Sequence, residues 1–291
     1  MTPTRPRPCD MAFEAADGYT LAGTLYASDR PDGPRMVIAG ATGVPQHFYR
    51  RFAEYAQARH YTVLTFDYRG VGRSATRPLK GSGIDMLDWG RLDFSAALEA
   101  VASKASPAVV VGHSFGGHAL GMARKPELVS AACVFATGAG WHGYMPCREQ
   151  LRVLALWNIV LPPLLWWKGY APFKMLGMGE NLPPGVCRQW RNWCRYPHYF
   201  FDDPKMMPGI AEAFSRIRCP IMAVNARDDL WALPASRDAF MKGYKNALII
   251  PVDLDPARFG KVGHMGYFRP HVESLWSDTL DWLSNPHRAS A

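Results

Sequence analysis

Residues 108–117 read Ala-Val-Val-Val-Gly-His-Ser-Phe-Gly-Gly. Ala108–Val111 is a short, continuous apolar run of the kind that forms a strand buried on both faces. It runs straight into Gly112-His113-Ser114-Phe115-Gly116, a G-x-S-x-G sequence, and helical spacing begins at Gly116. A strand that turns this abruptly into a helix brings the residues two before and two after the serine against neighbouring backbone. Glycine at both places removes the collision. The turn lifts the Ser114 hydroxyl above the sheet edge at a helix N-terminus, where the Phe115 amide can serve a developing oxyanion.

Outward from this elbow the chain alternates strand and helix. Met11–Ala15 and Tyr19–Tyr26, split by Asp17-Gly18, read as an opening hairpin. Met36–Ala39 and Tyr61–Phe66 read as strands, with helical spacing over Phe48–His60 between them. Asp85–Lys104 carries a helical apolar stripe, and Ser130–Ala136 is a further strand. The alternation lapses from Gly138 to about Pro208 and returns with strand Ile221–Asn225, helix Ser236–Tyr244, strand Ala247–Val252 and helix His271–Leu283. Such repetition predicts an α/β fold: a mostly parallel sheet with helices on both faces. Residues 1–137 and 209–291 would form the core, and 138–208 an inserted, mainly helical cap.

Two further loops fall at the same sheet edge as Ser114. Gly263-His264-Met265-Gly266 lies before the last helix, and a histidine between glycines has the backbone freedom to reach the serine as general base. His60, His113 and His118 suit that role less: the first two sit at a junction and next to the serine, pointing away, and the third lies inside a helix. After strand Ile221–Asn225 come Asp228 and Asp229, and the residues themselves leave either open as the acid. The loop Gly40-Ala41-Thr42-Gly43-Val44-Pro45 is small enough for its amides to approach a substrate carbonyl, with Thr42 the expected second oxyanion donor.

These features resemble the α/β-hydrolase superfamily over nearly the whole length. Asp67-Tyr68-Arg69-Gly70-Val71-Gly72-Arg73-Ser74 is similar to its D-x-R-G-x-G-x-S segment, which the resemblance assigns a structural role. Ala41–Ala53 and Gly263–Arg269 are similar to a bacterial group of hydrolases allied to the monoglyceride-lipase and serine-aminopeptidase-like branch. The resemblance implies the chain order serine, acid, histidine. Counted from Pro220, it favours Asp229 over Asp228. The sequence departs from the family at Gly40-Ala41, where His-Gly is usual before the oxyanion donor.

The implied activity is hydrolysis of an ester or thioester through an acyl-enzyme. Acyl transfer by the same groups is an alternative, and a non-catalytic hydrolase-fold binding protein is a more remote one. Serine rather than aspartate at the elbow disfavours dehalogenase or epoxide hydrolase chemistry. No cofactor and no metal site are expected, since the six cysteines lack C-x-x-C spacing. Reduced thiols and the absence of an apolar leader in Met1–Asp10 suit a cytoplasmic location. The net charge of +8 is scattered, so nucleic acid is not an expected partner. The partner is a small-molecule ester; oligomeric state is not readable. Trp141, Trp157, Trp166, Trp167, Trp190 and Trp193 crowd the insertion. Some of them are expected to line an apolar pocket. The run Leu151–Trp167 is read as a buried or lid segment in preference to one that touches a membrane.

Overall fold

In a computed structural model, which describes residues 6–286, eight strands form one sheet. They are β1 (Cys9–Glu14), β2 (Thr20–Tyr26), β3 (Arg35–Ala39), β4 (Thr62–Phe66), β5 (Ala108–His113), β6 (Val129–Phe135), β7 (Ile221–Ala226) and β8 (Ile249–Leu254). Their spatial order is β1-β2-β4-β3-β5-β6-β7-β8. The β1–β2 hairpin and the β2–β4 pair are antiparallel; every pair from β4 to β8 is parallel. The α/β architecture expected from the alternation is therefore present, and β5 stands in the middle of it.

Both faces of this sheet are covered, as a parallel sheet with crossover helices requires. Alternate residues of one strand feed different cores. Val110, Val37, Ala132 and Val134 enter one apolar cluster, and Val109, Val111, Met36, Ile38, Cys133 and Phe135 enter the other. Complete burial of an aliphatic side chain of this size contributes about 1.5–3 kcal/mol, so the central strands fix the register firmly.

Element ends differ from the periodicity in instructive ways. Asp85 is the N-cap of its helix, accepting from the amides of Leu87 and Asp88, while Asp88 accepts from the Asp85 amide. That helix stops at Val101, because Ala102 turns extended and Ser103–Ser106 close a tight turn. A helix at Gly209–Ser215 was not anticipated. Its buried Ile210 and Phe214, continued by Ile217, carry the i, i+4, i+7 signal that marks it.

Between β6 and β7 no residue joins the sheet. That stretch folds into helices Cys147–Ala155, Leu161–Lys168 and Pro184–Trp193, with a wider π-helical segment, Leu156–Val160, joining the first two. Of the two readings of Leu151–Trp167, a buried or a lid segment, burial needs correction. Val153, Trp157 and Leu161 are buried and Leu156 and Leu165 pack partly against the same core, whereas Leu151, Ile159, Trp166 and Trp167 are 70%, 70%, 88% and 68% exposed. A helix apolar all round has no preferred face, and here one narrow stripe finds a partner.

Segment 67–74 braces the loop after β3. The buried Asp67 carboxylate accepts from the Gln46 amide at 2.7 Å, the Gln46 side chain at 2.9 Å and the Arg73 amide at 2.9 Å. Ser74 Oγ donates to the Asp67 carbonyl and accepts from the Ala22 amide.

The elbow is held by close packing. A Cβ on Gly116 would stand 2.0 Å from the Ala39 carbonyl oxygen, and one on Gly112 would stand 2.8 Å from the backbone of Gly116 and Gly117. Gly116→Ala should therefore lower stability by about 1–3 kcal/mol or more in urea unfolding. Gly209→Ala, with nothing within 4 Å of the added carbon, should stay within about 1 kcal/mol of the parent.

Candidate active site

Ser114 occupies φ 51°, ψ −107°, a conformation that costs a non-glycine residue about 1–3 kcal/mol. The Ser114 amide donates to the Phe135 carbonyl of β6 at 2.8 Å, which ties the strained residue to the neighbouring strand. The hydroxyl Oγ lies 3.1 Å from His264 Nε2. His264 Nδ1 lies 2.9 and 3.0 Å from the two carboxylate oxygens of Asp229. A carboxylate only accepts, so Nδ1 carries the proton and Nε2 is free to accept from Ser114.

Asp229 has no exposed surface. Its Oδ1 also accepts from the amides of Trp231 and Ala232 at 3.0 and 3.1 Å, which fixes the carboxylate plane. Asp228 does something different. Its two oxygens accept from the amides of Val262 and Gly263, each at 3.0 Å, so it holds the loop that carries His264. Of the two aspartates left open by the residues, the structure brings Asp229 to the imidazole and Asp228 to the backbone beside it. Burial disfavours the charged form of His264, but the adjacent Asp229 charge and hydrogen bond outweigh it. The imidazole pKa is raised above its ordinary 6.5.

Ser114 and His264 open onto a cavity of about 400 Å³, within the usual range for small-molecule sites. The sheet edge contributes Thr42, Ala136 and Trp231, and the helical segment between β6 and β7 contributes Met178, Trp190 and Tyr199. Among the described residues Arg152 is the one lysine or arginine that lines it, and its guanidinium is engaged by the Glu149 carboxylate at 2.6–3.1 Å. Residues 36–273 match the alpha/beta hydrolase family. The chain belongs to that family.

Solved structures agree on this α/β-hydrolase fold at low identity. An alpha/beta hydrolase, GrgF, from a Penicillium species superposes with a TM-score of 0.63 at 19% identity, covering 96% of this chain and 98% of that one. A thioesterase domain from the curacin biosynthetic pathway gives 0.60 at 14%, covering 94% and 100%. An esterase of Pyrococcus furiosus gives 0.57 at 15%, covering 96% and 92%. No curated protein sequence matches the chain.

This α/β hydrolase also has a buried relay that sequence reasoning missed. His113, the residue before the serine, points into the opposite core as expected, but it is not idle there. Its Nε2 lies 2.8 Å from the His264 carbonyl oxygen and its Nδ1 2.9 Å from the Tyr49 hydroxyl. Burial lowers the His113 pKa to about 3, with the nearby His264 acting in the same direction. The ring is neutral and has one proton. The carbonyl needs a donor, so the proton sits on Nε2, and Nδ1 accepts from Tyr49. The Tyr49 oxygen in turn accepts from the Ala41 amide at 2.8 Å. One chain of hydrogen bonds thus links the loop after β3 to the backbone of His264. The signal available in sequence was the aromatic run Phe48-Tyr49 together with Tyr267-Phe268; Phe268 packs 4.8 Å from the Tyr49 ring and 5.2 Å from the His113 ring.

The other expected positions are also placed. The Phe115 side chain packs against Tyr68 and Trp89, away from the cavity, leaving only its backbone at the elbow. Thr42 lines the cavity with Ser114, in a turn closed by the Val44 amide on the Ala41 carbonyl, with Gly43 at φ +70°. His118 is packed, donating through Nε2 to the Gly138 carbonyl at 3.0 Å.

Tyr49→Phe keeps the ring and removes one oxygen, leaving the Ala41 amide and His113 Nδ1 buried without partners. Urea unfolding should show a loss of about 1–3 kcal/mol.

Proposed function

We propose that the protein is a serine hydrolase that cleaves a carboxylic ester or thioester of an apolar acyl group through an acyl-enzyme. The observation that carries this reading is the unbroken chain Ser114–His264–Asp229, at 3.1 and 2.9 Å, at the foot of an apolar cavity. Ser114 Oγ adds to the acyl carbonyl carbon while His264 Nε2 takes the hydroxyl proton. Asp229 keeps the imidazole in the required tautomer and stabilises its charged form. The tetrahedral intermediate collapses, the C–O or C–S bond breaks, and His264 returns the proton to the departing alcohol or thiol. Water, deprotonated by His264, then attacks the acyl-enzyme and releases the acid and Ser114.

The oxyanion of both intermediates would meet the amides of Phe115 and Thr42. In support, the Ala41 amide is already committed to Tyr49, which leaves its neighbour Thr42 as the next donor in the loop. The Gly40-Ala41 departure from His-Gly does not matter to a hole made of backbone amides. Segment 138–208 would act as a cap that shapes the acyl pocket. The monoglyceride-lipase-like branch is the narrower affiliation we favour, on the likeness of Ala41–Ala53 and Gly263–Arg269.

A fluorophosphonate should label the protein at Ser114, and Ser114→Ala should abolish labelling and lower ester turnover by roughly three or more orders of magnitude. Labelling that persists in Ser114→Ala would overturn the assignment. The pH profile tests the other two groups. His264 must be neutral to accept the serine proton, so kcat/KM falls as pH drops through its pKa in the free enzyme. Because that pKa is raised, the acid limb should lie above the ordinary 6.5. Asp229→Asn removes the charge that raises it and leaves the burial that lowers it, so the limb should move to lower pH as turnover collapses. Asp228→Asn should affect turnover far less.

Acyl chain length reads the pocket. Each methylene buried is worth roughly 0.8 kcal/mol, so four extra carbons would favour binding by about 3 kcal/mol, roughly a hundredfold in kcat/KM. Medium-chain p-nitrophenyl esters should exceed acetyl by this route, with kcat nearly flat because ground and transition states gain alike. A kcat/KM highest for acetyl and falling with length would show that the aromatic residues fill the pocket instead of lining it.

A further inference from the structure

Ten large apolar side chains are more than a third exposed among the described residues, and seven of them fall within 151–175: Leu151, Leu154, Ile159, Val160, Trp166, Trp167 and Met175. Single exposed apolar residues need no explanation, but a cluster on one helical stretch does. Leu151, Ile159, Trp166 and Trp167 border neither the Ser114 cavity nor the pocket lined by Leu154, Trp157 and Asn158, and at 68–88% exposure they form an outward face and not a groove for a peptide. No helix among the described residues is long and apolar enough to cross a membrane. A surface helix with inward Val153, Trp157 and Leu161 and outward leucine, isoleucine and tryptophan is instead suited to lie in an interface plane.

The charge beside the face selects the occupant. Over residues 147–175 there are four cations, Arg148, Arg152, Lys168 and Lys174, against one acid, Glu149. Glu149 is buried and engaged with Arg152, and Lys174 is paired with Glu180. Arg148 and Lys168 have no acidic partner within 4.0 Å among the described residues, and the Lys168 ammonium rests 4.4 Å from the Trp167 ring centroid. A twofold pairing with a second copy would set these cations against their own kind. An anionic lipid headgroup layer meets both the cations and the tryptophans.

We propose that the face formed by Leu151, Ile159, Trp166 and Trp167 docks the protein on an anionic lipid surface, with Arg148 and Lys168 at the headgroup level. Arg152, next to Leu151 on the same helix, lines the cavity that holds Ser114. Docking therefore sets the cavity wall beside the lipid, where an apolar ester partitions. This goes beyond the proposed chemistry and does not depend on it: docking needs no turnover, and it is measured on the Ser114→Ala protein so that a failure here and a failure there stay separate.

The test is sedimentation of that protein with phosphatidylcholine vesicles, with and without phosphatidylglycerol, followed also by tryptophan emission. Binding is expected on the anionic vesicles, weakened by salt, with a blue shift; neutral vesicles should bind much less. Trp166→Ser with Trp167→Ser should weaken binding by about tenfold or more while thermal unfolding stays unchanged, since both rings lie outside the core. No binding to anionic vesicles would overturn the proposal, as would equal binding by the double variant. Two further results would overturn it in favour of another occupant. One is a dimer in sedimentation velocity that the double variant converts to monomer, without vesicle binding. The other is binding of soluble poly-glutamate in place of vesicles, lost in the double variant, which would assign the face to an acidic protein.

Discussion

The carbonyl of Ala39 and the Cα of Gly116 lie so close that no side chain fits between them. That contact joins the end of β3 to the first turn after β5, and the rest of the site follows from it. It draws the helix Phe115–Gly121 down onto the sheet and compresses the intervening residue, so Ser114 is forced to positive φ. The strain is sustained because the two central strands are buried on both faces and cannot shift to relieve it. The same contact sets the loop after β3 beside the serine, where Thr42 borders the cavity.

Opposite charges and neutral groups are sorted on the two sides of the elbow. Above it, the Asp229 carboxylate keeps a proton on His264 Nδ1 and favours the charged ring. Below it, His113 lies in an apolar core that holds it neutral, and its one proton goes to the carbonyl of that same His264. The two histidines lie 5.6 Å apart, centroid to centroid, and a charge on the lower one would oppose the charged form of the upper one. Asp228 completes the arrangement by fixing the amides just before His264. The imidazole is thus located through its side chain, its own carbonyl and its preceding backbone.

What was legible in the sequence was local. Apolar runs of four to six residues, glycine at forced turns and the order of loops at one sheet edge were enough for the α/β layout. They also indicated which serine and histidine would meet. Which aspartate meets the imidazole is visible only in the fold, since Asp228 and Asp229 are adjacent and differ in what lies 35 residues away. The Tyr49–His113 contact spans 64 residues and has no periodic signature at all. The burial read into Leu151–Trp167 failed for a related reason. Hydrophobicity around a whole helix says that some face is buried without saying which, and Trp157 packs inward while Trp166 and Trp167 do not. Trp190 and Tyr199 border the cavity, yet nothing in their spacing separates them from the tryptophans outside it.

The wider turn at Leu156–Val160 gives that helical stretch an angular hinge point in its sequence. Upstream, the helix presents Arg152 to the cavity; downstream, it presents Trp166 and Trp167 outward. An α-helix advances about 100° per residue, so one residue more or fewer in the wide turn rotates everything after it by that angle. Removing a single residue there, with every side chain otherwise kept, would swing the tryptophans out of line with the outward face while Arg152 stayed where it is. The count of residues in one helical turn, more than their identity, sets which way this stretch of the protein faces.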